Sequence, residues 1–276
     1  MAGHSVPRHG AQVVQRAARL LRELATRPRT GWRLSDLAER CALDRATAHR
    51  LLQALVEERL VRQRRSDRHY FCGPMLFELG LALPDYAELQ SLLKPALATL
   101  ARTLRGVALF YLRSGIDAVC MARADSIAVP GLSVEVGSRR LMVTTAGGMA
   151  MLVGLDAGSR MAVLRANMEE LVSGGEERRL AVLRMYRRSR RWRAGVNLAD
   201  IVPGIHAFAL PLCDGERRPW GALGITTAAN ALHATETAHV LACLKDSVSA
   251  LLAGCPPAFP LSFSGPTARA AGARSP

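Results

Sequence analysis

The sequence predicts a mixed α+β chain of two domains: a small helical one bearing a basic two-stranded hairpin, and a larger one in which strands and helices alternate. Three observations predict this. Apolar residues recur at helical spacing between residues 13 and 58, with capping residues between the runs. Two short strands then bracket Arg64-Arg65-Ser66-Asp67, and after Gly73-Pro74 the pattern shifts to paired strands separated by helical stretches. A chain of 276 residues, 49% apolar, has material for two cores.

The first helix is expected over Val13 to Arg27, where Val14, Ala17, Ala18, Leu21, Leu24 and Ala25 share a face and Pro28 stops it. A second, Leu34 to Cys41, is expected to use Ser35 as its cap and to turn Leu37, Ala38 and Cys41 inward. Leu43 fills the turn, and Asp44 stands where the next helix needs a cap. In Arg45 to Glu58, Ala48, Leu51, Leu52 and Leu55 recur at helical spacing, which sends Arg45, Thr47, His49, Arg50 and Gln53 outward. Leu60 to Gln63 and His69 to Phe71 then form a wing whose tip carries Arg64 and Arg65. Helix, turn, helix and basic hairpin in this order make a winged helix-turn-helix, which reads duplex DNA with its second helix and touches phosphates with its wing. A protein-interaction module built on the same fold would want apolar anchors where this helix presents polar ones.

Gly73-Pro74 interrupts the chain, and Met75 to Gly80 begins an apolar helical connector that Pro84 stops. The expected division is a DNA-binding domain at 12–73, a linker helix at 74–84 and a second domain at 85–253. In the second domain Tyr86 to Leu104 reads as a long helix, with Leu89, Leu92, Leu93, Leu97 and Leu100 inside and a kink at Pro95. Val107 to Arg113 and Asp117 to Arg123 pair around Ser114-Gly115, with Leu132 to Val136 as a third strand. Helices are expected at Ala146 to Leu155, Ser159 to Leu171, Glu176 to Trp192 and Thr235 to Ala253, and a hairpin joins Ile205–Leu212 to Trp220–Thr227. Residues 254–276, rich in Pro, Gly, Ala and Ser, are expected to be a disordered tail.

Charge agrees with a polyanionic partner without naming it. There are 37 basic against 23 acidic residues, and residues 1–75 hold 15 Arg against 7 acids. Since 35 of the 37 basic residues are Arg, a GC-rich coding bias accounts for part of the excess, and position carries more weight than total. Glu176 to Arg193, with eight Arg against two Glu, reads either as a solvated face or as a surface for an acidic partner or DNA.

No run of about 18 apolar residues is present, and the first 15 residues lack the apolar core of a signal peptide, so a soluble, cytoplasmic protein with no membrane partner is expected. The six Cys show no C-x-x-C spacing, so no metal site, disulfide framework or cofactor is expected. No G-x-S-x-G, P-loop, H-E-x-x-H or dinucleotide-binding motif occurs, and Cys120 and Cys213 lie in apolar strand contexts, so no catalytic residue is assigned and a thiol enzyme remains an alternative.

Four stretches, Val14-Gln15-Arg16-Ala17, Leu34 to Ala38, Thr47 to Leu52 and Tyr70 to Gly80, resemble the amino-terminal domain of the IclR family of bacterial transcriptional regulators. Val136 to Leu141 before Thr144 to Leu152, then Val202 to Ile205 and Ala222 to Thr226, resemble that family's GAF-like effector domain. The resemblance spans residues 12–253 and implies a winged helix-turn-helix joined by a linker helix to a GAF-like α/β effector-binding domain. It implies a homodimer or tetramer on a pseudo-palindromic operator, more commonly a repressor, controlled by a small-molecule effector.

Carried over residue by residue, the resemblance places the effector site at Ala146 and Gly147 on a helix start, Asn197 on a loop, Ala207 on a strand, and Gly224 and Thr226 on the next. Asn197, Ala207 and Gly224 stand where the small-acid-binding version has Asp, Cys and Ser. The expected pocket is therefore roomier and less negative, suited to an organic or aromatic acid, and a leucine at Gly147 is expected to fill it. Independently of the resemblance, Thr144 to Gly148 at a helix start offers amides and the positive helix end to a carboxylate, or is an ordinary capped helix with Gly for close packing.

Overall fold

The structure is a computed structural model, and it describes residues 9–171, 175–232 and 234–254. The expected tail, apart from Gly254, lies outside the described residues. The chain divides after Pro84 into two compact units.

In the first unit, α1 (His9–Leu24), α2 (Leu34–Arg40) and α3 (Arg45–Glu57) close on Leu20, Leu24, Leu37, Cys41 and Leu52. The expected face of α1 is enclosed at Leu24 and packs on the core at Ala17 and Leu21, but Leu20 is enclosed as well and Val14 is 68% exposed. Ser35 does not cap α2. The helix starts at Leu34 after an extended Arg33, which puts Ser35 inside the first turn, where its hydroxyl donates to Asp36 Oδ1 at 2.9 Å. Asp44 does cap α3, its carboxylate accepting from the Thr47 amide at 2.8 Å. Strands β1 (Val61–Gln63) and β2 (Tyr70–Cys72) pair antiparallel with Arg62 opposite Phe71. Trp32 adds a third segment, exchanging backbone bonds of 3.0 and 2.8 Å with Tyr70. Pro74 then starts α4 (Pro74–Leu81), where its missing N–H costs nothing.

The second unit opens with α5 (Pro84–Leu104), which runs on through Pro95 with Leu89, Leu93, Leu97 and Leu100 buried. Six strands follow: β3 (Val107–Ser114), β4 (Asp117–Asp125), β5 (Arg139–Leu141), β6 (Gly195–Leu198), β7 (Ile205–Cys213) and β8 (Pro219–Ala228). They form one antiparallel sheet in the order β5-β4-β3-β8-β7-β6. Alternation along β3 sorts its two faces. Ala108 and Phe110 meet α5 and α9 (Thr237–Gly254), while Val107, Leu109 and Tyr111 meet α6 (Ala146–Gly154), α7 (Ala157–Glu170) and α8 (Gly175–Trp192).

Two strand expectations are corrected. Leu132 to Val136 is a loop, because Glu135 donates its amide to Ser138 Oγ at 2.8 Å and backbone bonding to β4 begins only where Gly137 and Ser138 bond Cys120. Strand pairing with β4 instead falls to Arg139–Leu141. Asn197 lies not on a loop but on the edge strand β6, opposite Ala207.

Candidate DNA-reading face and effector site

The Asp44 cap fixes where α3 begins and therefore which residues it turns outward. Arg45, His49 and Arg50 are exposed, with Thr47 and Gln53 half-buried beside them. Arg50 Nη2 donates to Thr47 Oγ1 at 3.4 Å, and His49 Nε2 lies 3.5 Å from Gln53 Nε2. The Thr47 amide and hydroxyl hold the Asp44 carboxyl below its ordinary range, so the cap stays ionised at neutral pH. The five residues form one polar surface about two helical turns long, the arrangement that base edges and phosphates require.

The wing is less uniform than its sequence. Asp67 grips Arg64 and also lies 2.6 Å from His69 Nδ1, whereas Arg65 is exposed and has no ion-pair partner among the described residues. Arg62 and Arg64 both lie over the Phe71 ring, 4.7 Å from its centroid.

All six expected effector residues fall on one face of the sheet or on the helix that lies against it. Cross-strand register puts Asn197, Ala207, Thr226 and Val107 in a single row, with Gly224 between Ala209 and Leu109 in the next. Ala146 and Gly147 open α6, which Thr145 caps by accepting from the Gly148 amide at 2.9 Å. Asn197 is 6% and Thr226 5% exposed. Asn197 Oδ1 accepts from the amides of Asp200 and Ile201 at 3.1 and 3.3 Å, shaping the turn after β6. Its amide nitrogen, a donor, is not used in that turn.

The room expected at Gly147 is already occupied: a Cβ there would stand 2.3 Å from the Tyr111 ring. At Gly195 a Cβ would meet the Ala146 carbonyl at 1.8 Å, so α6 rests on bare strand backbone. Sequence reasoning missed Tyr111, Gly195 and the loop residues Val129 and Ile201 that pack into the same core. Tyr111 stood out only as one aromatic in a buried strand, and its ring reaches Gly147 across 36 residues of chain.

Burial pushes the Cys120 thiol up to about 12 and raises Cys72 and Cys213 as well, so these thiols stay protonated at neutral pH. Among the described residues, no cluster of three or more His, Cys, Asp or Glu is placed to hold a metal ion, and no helix is long and apolar enough to cross a membrane.

A winged helix-turn-helix with a polar reading face, in one chain with a sheet domain, defines a DNA-binding transcriptional regulator with an effector domain. Comparison with known proteins gives the family. Residues 13–65 match the family described as IclR helix-turn-helix domain, and residues 83–252 that described as Bacterial transcriptional regulator IclR C-terminal. The chain belongs to the IclR family of bacterial transcriptional regulators. It is 28% identical over 211 residues to the HTH-type transcriptional regulator TtgV of Pseudomonas putida, covering 72% of this chain and 76% of that one. Its fold is similar to the crystal structure of an IclR family transcriptional regulator from Brucella abortus, with TM-score 0.73, 16% identity and coverage of 93% and 97%. It is also similar to an IclR homolog from Microbacterium hydrocarbonoxydans complexed with 4-hydroxybenzoate, with TM-score 0.61, 18% identity and coverage of 87% and 97%.

Proposed function

We propose that this protein is a cytoplasmic repressor that binds a pseudo-palindromic operator as a homodimer or tetramer and changes its hold when a small organic or aromatic acid enters the second domain. Arg45, Thr47, His49, Arg50 and Gln53 read bases and adjacent phosphates, and Arg64 and Arg65 touch phosphates from the wing. The functional division is DNA reading by 12–73, coupling by 74–84 and effector binding by 85–253. The observation that carries the effector half is the buried row Asn197, Ala207, Thr226 beside the start of α6. It sets an amide and a hydroxyl on the sheet face that α6 covers, where that helix's first turn offers backbone amides, and Gly224 and Ala207 add little side-chain bulk. The 4-hydroxybenzoate complex of the Microbacterium protein supports an aromatic acid as the class of ligand.

Self-association is supported by the first unit's own surface. On α4, Phe77 and Leu81 are 71% and 69% exposed, with Leu79 and Leu83 beside them in sequence, and Val13 and Val14 of α1 are uncovered too. A second copy covers such a surface and supplies the second half-site that one recognition helix needs.

The test is a mobility-shift titration on genomic fragments recovered with the protein, combined with a thermal-shift screen of organic and aromatic acids that includes 4-hydroxybenzoate. An acid that raises the melting temperature and shifts operator affinity, and that loses its effect in Thr226→Val, supports the reading. A hit indifferent to Thr226→Val moves the site elsewhere, and a monomer by light scattering at micromolar concentration removes the assembly.

A further inference from the structure

We infer that the outer face of α8 is a second DNA-contacting surface, which binds the phosphate backbone of duplex DNA without reading its sequence. Ala181, Val182, Met185 and Ser189 are the buried side of this helix, and Ser189 Oγ accepts the Val196 amide at 3.0 Å, which fixes its rotation. Arg187, Arg190 and Arg191, at i, i+3 and i+4, therefore share one exposed face, and Arg193 follows directly with φ of 50°.

Among the described residues, the carboxylate paired with this helix is Asp200, and it is spent on the inboard arginines. Asp200 binds Arg188, lies 3.6 Å from Arg184 and accepts the Leu198 amide at 3.2 Å. Arg187, Arg190 and Arg191 have no acidic partner among the described residues. Like charges at this spacing oppose helix formation, and a polyanion relieves them.

Three chemistries bind such a face, and the structure favours one. A protein partner needs apolar anchors at the centre of its contact; the exposed apolar residues of α8 are Leu180, nearly two turns before Arg187, and Trp192, about 100° around the helix from Arg191, so neither stands among Arg187, Arg190 and Arg191. A membrane-surface helix needs an apolar stripe to insert, and here that stripe is built into the domain core. Phosphate needs only charge and planar donors. Arg187 and Arg191 stand about 6 Å apart along the helix axis, close to the rise of two phosphates of one strand along the duplex axis, about 3.4 Å each. The inference rests on the DNA-binding reading above, since a protein held on an operator meets neighbouring phosphates at high local concentration.

The experiment uses the full chain and a duplex of random sequence, with affinity followed by fluorescence anisotropy across a salt series. Arg187→Gln, Arg190→Gln and Arg191→Gln together should lower the slope of log K against log salt by about two to three units. The corresponding Lys variant should keep the slope. Arg191→Gln alone should remove about one unit, and it decides the matter if the triple variant does not fold. Arg45→Ala with Arg50→Ala, by contrast, should abolish preference for the operator over the random duplex. An α8 variant that keeps the wild-type slope overturns the inference, as does one that loses only its binding to polyglutamate or to anionic vesicles. If the α8 variants behave as expected while the Arg45 and Arg50 variant keeps operator preference, it is the α3 reading that falls.

Discussion

At the tip of the wing, the Asp67 carboxylate holds the Arg64 guanidinium through two hydrogen bonds of 2.9 and 2.6 Å. Two neighbouring arginines that look alike in sequence are thus chemically different. Arg65→Ala should flatten the salt dependence of DNA binding by about one unit of slope, and Arg64→Ala by distinctly less, because its charge is already half-spent. Asp67→Ala should steepen it. The Arg64 contact holds the Asp67 carboxyl well below its ordinary range, so the difference should persist from pH 5 to pH 8. Equal slopes for the two arginine variants in a filter-binding series would remove the distinction.

Gly147 and the Tyr111 ring occupy each other's only space, so their substitutions should not add. Gly147→Ala should cost about 1–3 kcal/mol by overpacking, and Tyr111→Ala about 3–5 kcal/mol by leaving a cavity. The double variant should be at least about 0.5 kcal/mol better than the sum of the two losses. Urea denaturation of the four proteins measures this, and strict additivity would mean that the ring does not rest on Gly147.

Asn167 is fully buried on α7 and joins two segments: its Oδ1 accepts from the Val143 amide at 3.2 Å and its Nδ2 donates to the Ile116 carbonyl at 3.0 Å. Asn167→Leu keeps the volume but orphans both backbone groups, each at a cost of about 1–3 kcal/mol. Asn167→Asp keeps the acceptor and adds an ionisable group, so its stability should fall as pH rises and the buried carboxylate is forced to charge. Chemical denaturation at pH 5 and pH 8 separates the two effects.

Alkaline pH should weaken the second unit through Cys120. Its thiol is raised from 9.0 to about 12 by burial, so the unfolded chain ionises first. The contribution is fully present below pH 9 and is lost as pH climbs from there toward 12. Cys120→Ser should show a shallower loss over that range in a pH-dependent melt, and native protein should not alkylate at this position at pH 8.

Legibility in the sequence followed the range of the interaction. The outward polar face of α3 could be drawn from Asp44 and a period of 3.6, both local, and the β3–β4 hairpin from Ser114-Gly115, where Gly115 takes a φ of 65°. Ser35 was off by one residue, because a serine ahead of an apolar run looks the same as a cap or as the second residue of a helix. The loop at Leu132 to Val136 alternates like a strand, and only the Ser138 side chain, bonding back to Glu135, turns it away. Strand β6 is four residues long after a basic helix, too short for alternation to register. The row of Asn197, Ala207 and Thr226 depends on register between strands far apart in the chain, so its members came from family resemblance and not from any pattern of their own.

The pairing of Trp32 with Tyr70 changes when the wing's disorder is removed. A free two-stranded hairpin is marginal in water and would have to be ordered at the moment of contact, at an entropic cost to affinity. Here the connection between α1 and α2 is stitched to the tip-side end of β2 by two backbone bonds, and Arg27 lies over the indole at 3.7 Å. The ordering is therefore completed during folding, before any duplex arrives. Only the short tip from Arg64 to His69 stays outside this three-segment sheet, so the wing offers a partner a rigid surface with one small adjustable arc.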